Sequence, residues 1–318
     1  MLTSVFLTAI LPIVSLAAVG YVLGRFREVD VGALNTVTIY VLAPALIFHS
    51  LSTTPISGVT AVKLLVGIGA YVLVMAGVAV LVHRATDTTT PTLGALILVS
   101  AFSNAGNYGI PLSDFAFGPV GRSTAVLFLS IQAIYMYTIG AYIASRGGDA
   151  VDARDAVAKV LRLPLVYAVF AAFLLVRLDA VPPVDGTFMR TVRLTGDAMI
   201  PVMLLLLGVQ LSNADYAGAI SRVGMGNLLK LGVAPAIGLG LALLLGFGDA
   251  TVARVFVLEI ATPAAITPLM LVIEFRDPVA TEGITDAEYI SSVVLTSTLL
   301  SVPVLTVLIV VLRSGAVL

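Results

Sequence analysis

The sequence predicts an all-α integral membrane protein: ten transmembrane helices, arranged as two inverted five-helix repeats, with the fourth and ninth helices broken. Three observations predict it. The 318 residues are 59% hydrophobic and only 11% charged, against about 25% charged in an ordinary soluble domain, and the mean hydropathy is +1.09. The apolar residues gather in ten runs, most of them near the length needed to cross about 30 Å of hydrocarbon. Prolines recur at matched spacings in the two halves of the chain.

The runs lie at about 3–24, 31–51, 61–82, 92–112, 123–144, 163–178, 189–212, 223–246, 254–275 and 289–312. Charged and turn residues separate them, as in HRATDTTTP and RDPVATEGITDAE. The first run lacks a basic leader and a cleavage site, and is long enough to be a span rather than a signal peptide. The longest polar connection, 145–162, holds Arg146, Arg154, Lys159 and Arg162. Positive loops stay inside, so this loop is expected in the cytoplasm and both termini outside.

Composition also excludes functions. A net charge of −1 leaves no basic footprint for nucleic acid. The chain has no cysteine, so disulfides and thiol chemistry are absent. His49 and His83 are far apart and suggest no metal site, and no cofactor is expected. Intramembrane catalysis would need an activated nucleophile or paired acids. No GxSxG, HExxH or GxxxxGK[ST] pattern occurs.

The duplication rests on order as well as spacing. Pro12 precedes Arg25 by 13 residues, and Pro164 precedes Arg177 by 13. Pro44 and Pro111 are 67 apart, as are Pro201 and Pro268. Each half then holds five spans. An odd number makes the halves cross the membrane in opposite senses. Pro111 in the fourth span thereby pairs with Pro268 in the ninth.

Those two spans carry the candidate site. The fourth contains SNAGNYGIPL, residues 103–112, and the ninth contains TPAAITP, residues 262–268. Pro111 lacks an N–H, and Gly106 and Gly109 weaken the same turns. Asn104 and Asn107 add amides that hydrocarbon would penalise. Irregular backbone at membrane depth is tolerated only inside protein or beside a watery cavity. Both stretches therefore read as broken helices of the kind that bind transported solutes. The plainer reading is a kinked helix whose amides join helices together.

The most specific pattern is Asn104 followed by Gly109-Ile110-Pro111-Leu112. To it are added Pro263, Ile266, Pro268 and Glu274-Phe275 in the ninth span, Gln132 before Tyr137-Thr138, and Pro44, Phe48 and His49 in the second. In these the chain resembles the auxin efflux carrier family of membrane transporters, in its prokaryotic branch. The resemblance implies two inverted repeats, 1–144 and 163–318, joined by the loop at 145–162. Spans four and nine would cross at their prolines near the bilayer midplane. Spans one, two, six and seven would form a scaffold, often dimeric. Spans three to five and eight to ten would form a moving transport domain. The substrate would be a small organic anion and the location the cell membrane. Bile acid sodium symporters share the implied fold, so sodium-coupled symport is the alternative. Val59 and Ile47 stand where plant carriers have Asp and Ser, which separates this chain from the plant substrate.

Residue by residue, Asn104 and Asn107 are three apart and would share a helical face, offering donors to a carboxylate. The resemblance adds Gln132, Ile47 and Ile266 to the substrate set. Pro111, Pro263 and Pro268 would free carbonyls for a cation or a substrate N–H. Glu259, four residues before Pro263, could carry a proton or ligate sodium; the plainer reading is a pair with Arg254 or a hydrogen bond to backbone. Lys63 and His49 are the other coupling candidates, although His49 reads more readily as a packed or interfacial histidine than as a proton carrier. Asp197 is expected to pair with Arg193, and Lys230 to snorkel to the interface.

Overall fold

Capping residues at the ends of the apolar runs decide where the helices start. The computed structural model describes residue 7 and residues 10–54, 56–86, 92–145, 158, 161–212, 223–275, 280–281 and 284–318. The first helix, α1 (Leu11–Phe26), places Pro12 in its first turn, where a missing N–H costs nothing. In α2 (Val31–Thr53) the Asp30 carboxylate accepts from the Ala33 N–H at 3.0 Å. After α3 (Gly58–Thr86), Thr92 caps α4 (Leu93–Ala101) by accepting from Ala95 N–H at 3.3 Å. Asp249 caps α9 (Ala250–Ala261), accepting from Thr251 N–H at 2.7 Å. Thr285 and Glu288 form a reciprocal capping box at the start of α11 (Asp286–Arg313).

The remaining helices are α5 (Ala105–Ala144), α6 (Pro164–Arg177), α7 (Thr187–Ser212), α8 (Gly224–Leu245) and α10 (Thr267–Phe275). A small hairpin, β1 (Ala280–Thr281) and β2 (Ile284–Thr285), precedes α11. Among the described residues, six helices are long and apolar enough to cross a membrane: α2, α3, α5, α7, α8 and α11. Their outer faces are apolar too, with Leu244 84% and Leu73 64% exposed. An apolar surface of this extent suits lipid rather than water.

The two expected breaks are present: the run at 254–275 is two helices, α9 and α10, and the run at 92–112 is interrupted after Ala101. A difference from the sequence reading is at 113–122, expected to be a loop. The chain stays helical there except at Gly118, whose φ of +66° is open to glycine, with Pro119 next. One residue thus bends the chain inside α5, and the charges of this segment, Asp114 and Arg122, pair with each other. The connection at 145–162 lies almost wholly outside the described residues.

The tightest packing joins α1 to α7, and α2 packs closely on both α7 and α6. Gly20 lies against the Leu205 backbone, and Gly208 against the backbone of Ala17 and Tyr21, with no room for a Cβ at either. Small residues let membrane helices approach backbone to backbone, gaining dispersion where lipid offers no hydrophobic drive. A second packed group joins α5, α8 and α9, with α3 against α4 and α8. Its interior holds Leu98, Phe102, Phe128 and Phe256, all with no exposure.

Gly208→Val should separate α1 from α7 and cost about 3 kcal/mol or more, at or above the usual range for overpacking, because the clash is with backbone. Gly240→Val, on an exposed face with open space around it, should change the thermal midpoint little. Thermal unfolding of the two purified variants in detergent compares them; equal midpoints would contradict the close approach.

Candidate functional site

The two interruptions meet, and they meet as backbone. Ser103 and Ala264 form an antiparallel bridge. The Asn104 N–H donates to the Pro263 carbonyl at 2.8 Å, and the Ala265 N–H donates to the Phe102 carbonyl at 3.0 Å. Each break thus supplies the partners that the other lost on leaving the helix. Side chains complete the pairing. Gln132 of α5 accepts from the Ser103 N–H at 3.1 Å and donates to the Ser103 carbonyl at 2.8 Å. The Ala264 N–H donates to Ser297 Oγ of α11 at 3.1 Å. Buried backbone groups are expensive to leave unpaired, and these are paired.

Beyond the bridge the fourth run restarts as a π turn, Ala105–Gly109, closed where the Gly109 N–H donates to the Asn104 carbonyl at 3.0 Å. Wide turns of this kind are frequent at functional sites. Asn104 is not helical, with φ −75° and ψ 60°. The helical argument that puts it on one face with Asn107 therefore does not apply. Asn104 is 7% exposed, and its side-chain amide makes no hydrogen bond among the described residues. Asn107 is half-buried and its amide is likewise unengaged. Both amides are neutral donors without a partner among the described residues.

Glu259, in α9, is fully buried and points at the restart of α5. Ser113 Oγ donates to its Oε1 at 2.7 Å, while Oε2 has no partner. The carboxyl packs so closely on Gly109 that a side chain there would overlap it. Gly109 is thus glycine for close approach as well as for a weak helix. Glu259 makes no ion pair with Arg254, whose guanidinium donates to the Leu318 carbonyl at 2.7 Å.

Lys230 departs most from the sequence reading. It does not snorkel; it is fully buried. Its ammonium donates to Ser103 Oγ at 2.6 Å, the Ile260 carbonyl at 3.0 Å and Tyr71 Oη at 3.3 Å. Lys230 lies within a π segment of α8, Leu228–Val233. Depth along the helix allowed the interface; the rotation of that turn aims the side chain inward. Ser103, Tyr71, Ser113 and Ser297 were not legible as site residues, since isolated hydroxyls in apolar runs look alike. The one available signal was the general cost of a charge inside a span.

Other candidates lie elsewhere. Lys63 donates to the Gly246 carbonyl at the end of α8, where a cation suits the helix C-terminus. His49 lines a separate cavity of about 250 Å³ with Ser50, Asp114 and Arg122. Arg122 there pairs with Asp114 and with Asp197, each at 2.7 Å. Asp197 therefore bonds across helices, not to Arg193 on its own. Ile47 is fully buried in α2, and Ile266 is half-buried just before α10. Gly106 faces Met203 of α7. Pro111 and Pro268 sit at the starts of their helical segments, and the Pro263 carbonyl is already used in the bridge.

The chain matches a family model described as membrane transport protein over residues 5–309. It is 26% identical over 319 aligned positions to a Rhizobium meliloti (strain 1021) protein provisionally named a malonate transporter, covering 96% of each chain. It is 26% identical over 301 positions to an uncharacterized transporter of Methanothermobacter thermautotrophicus, covering 92% of this chain and 93% of the other.

Gln132→Ala strips two hydrogen bonds from a buried backbone and leaves the Ser103 N–H unpaired, while the Ser103 carbonyl keeps the Ala105 N–H at 2.8 Å. For that one orphaned group the loss should be about 1–3 kcal/mol. Chemical or thermal unfolding of the purified variant measures it. A loss under about 0.5 kcal/mol, the scale of a neutral surface change, would show that Gln132 does not brace the bridge.

Proposed function

The chain belongs to the membrane transport protein family, and on that premise we propose that it carries a small organic anion, a dicarboxylate of the malonate class, across the cell membrane. The family and the relatives indicate a transporter rather than an enzyme, and the apolar helices fit a multi-pass membrane protein. The observation that carries the substrate reading is the unengaged Asn104 amide beside the paired breaks. No Lys or Arg lies in 103–112 or 262–268, and the Lys230 ammonium that reaches Ser103 is already engaged by three oxygens, so an anion there is held by neutral donors. The Asn104 and Asn107 amides are the ones available, and the name of the Rhizobium relative supplies the chemical class.

The mechanism proposed is alternating access by a moving domain. Two observations support an inverted repeat of 1–144 and 163–318. The matched prolines pair α1 with α6 and α2 with α7; that exchange turns the α1–α7 contact into α6–α2, which also packs closely. It likewise turns α3–α4 into α8–α9, and both of those pack. In this reading α1, α2, α6 and α7 are the scaffold, the surface for a homodimer, and the rest is the transport domain. Transport then moves the crossing as a unit, because the bridge and Gln132 bind it into one body. Both termini are proposed to lie outside.

Binding of malonate to purified protein tests the site. Asn104→Ala removes one donor and should weaken binding by about 1.5–3 kcal/mol, the scale for a hydrogen bond to a charged group. Asn104→Asp should weaken it further by placing a like charge beside the carboxylate. At about 4 Å and an effective dielectric of about 20 the bare repulsion is about 4 kcal/mol, an upper guide. The Asp variant should recover partly at low pH, when its carboxyl is protonated. Equal binding by the wild type and the Asp variant at neutral pH would remove either Asn104 from the site or the anion from the proposal.

A further inference from the structure

Lys230 is unused by the transport reading. Its ammonium is surrounded by oxygens from three separate parts of the chain: Ser103 in the first break, the Ile260 carbonyl at the end of α9, and Tyr71 of α3. Each presents lone pairs. Ser103 Oγ spends its own proton on the Ile260 carbonyl at 3.1 Å, and Tyr71 spends its proton on the Ser100 carbonyl at 2.9 Å. The arrangement therefore only accepts, the complement of a cation.

Helix geometry adds to this. The segments α4 and α9 both terminate at the crossing, at Ala101 and Ala261. The last carbonyls of a helix lack partners within it and carry its negative end. Ser100 and Ile260 belong to those last turns. Two negative helix ends thus converge on one oxygen-lined point, a setting where broken-helix transporters hold a free cation. Here the point is filled by a side chain reaching in from α8. The cage contains no carboxylate, and Glu259 makes no ion pair with Lys230 among the described residues.

We propose that Lys230 is a tethered cation, occupying a monovalent-cation site at the crossing so that the protein needs no free sodium to hold its two broken helices together. The inference rests on the crossing, not on the choice of substrate. Deleting the side chain should uncover a site for a small monovalent cation. Lys230→Ala leaves the three oxygens and a space shaped for an alkylammonium.

The test is the thermal midpoint of purified protein in choline, sodium or ethylammonium chloride at equal ionic strength. The wild type should be indifferent to the salt. Lys230→Ala in choline should fall by about 5–10 °C, the scale for losing several charge-assisted hydrogen bonds. It should regain at least half the loss, saturably, in ethylammonium or sodium. Lys230→Met, which fills the space without charge, should fall and regain nothing in any salt. A Lys230→Ala protein as stable as the wild type in choline, or equally unstable in all three salts, overturns the proposal. If that variant cannot be purified, Lys230→Met decides: a wild-type midpoint overturns it, and a lowered, salt-insensitive one supports it. Malonate flux into proteoliposomes gives a second arm. Flux persisting with choline in place of sodium is expected, and strict sodium dependence overturns the tethered cation. Absence of malonate flux under every condition counts against the substrate reading alone, because the thermal readout uses no substrate.

Discussion

Everything at the centre of this protein depends on one constraint: backbone polar groups removed from a helix inside an apolar protein must find other partners. Two helices are broken at the same place, and their exposed peptide groups are paired with each other across the Ser103–Ala264 bridge. The pairing is short, so it needs help. Gln132 engages both polar groups of Ser103, and Ser297 takes the Ala264 N–H. A broken helix in this setting is not a weak point. It is a place where backbone direction changes while the hydrogen-bond count is kept.

The same constraint explains the uneven treatment of side chains nearby. Gln132 has its oxygen and one N–H committed to structure, whereas the Asn104 amide is uncommitted although only one residue from the bridge. The committed amide fixes the crossing, and the uncommitted one is left for a ligand in the proposed carrier. Glycine contributes through space. Gly109 admits the Glu259 carboxyl against the restart of α5, while Gly20 and Gly208 let α1 and α7 touch through their backbones. Both uses replace a side chain by an approach that no other residue allows.

Charge is handled with similar economy. Lys230 is satisfied by oxygens that converge because two helices end there, and Arg122 by two carboxylates on different helices. Neither cation is matched by a residue one helical turn away. Intramembrane charges are costly unless several groups compensate them at once, and compensation of that kind comes from folding distant segments together. The segments 103–112 and 262–268 have no basic side chain of their own, so the proposed affinity rests on dipoles and amides.

The sequence by itself determined the membrane class, the helical runs and the two places where helices would fail. Those follow from local composition: apolar length, and Gly, Pro and Asn within reach of one another. It pointed to Asn104, Asn107, Pro111, Pro263 and Glu259 for the same reason, since polar or helix-breaking residues in hydrocarbon need an explanation wherever they occur. Only the tertiary structure decided that the breaks pair as strands, that Gln132 braces one of them, that Asp197 meets Arg122, and that Lys230 turns inward to Ser103 and Ile260. These depend on the rotation of each helix about its axis and on which neighbour it meets, and periodicity in one segment carries no information about the direction of another. Lys230 shows the limit most clearly. Its position along α8 is compatible with an interface or a core, and the difference between them is the aim of a single π turn.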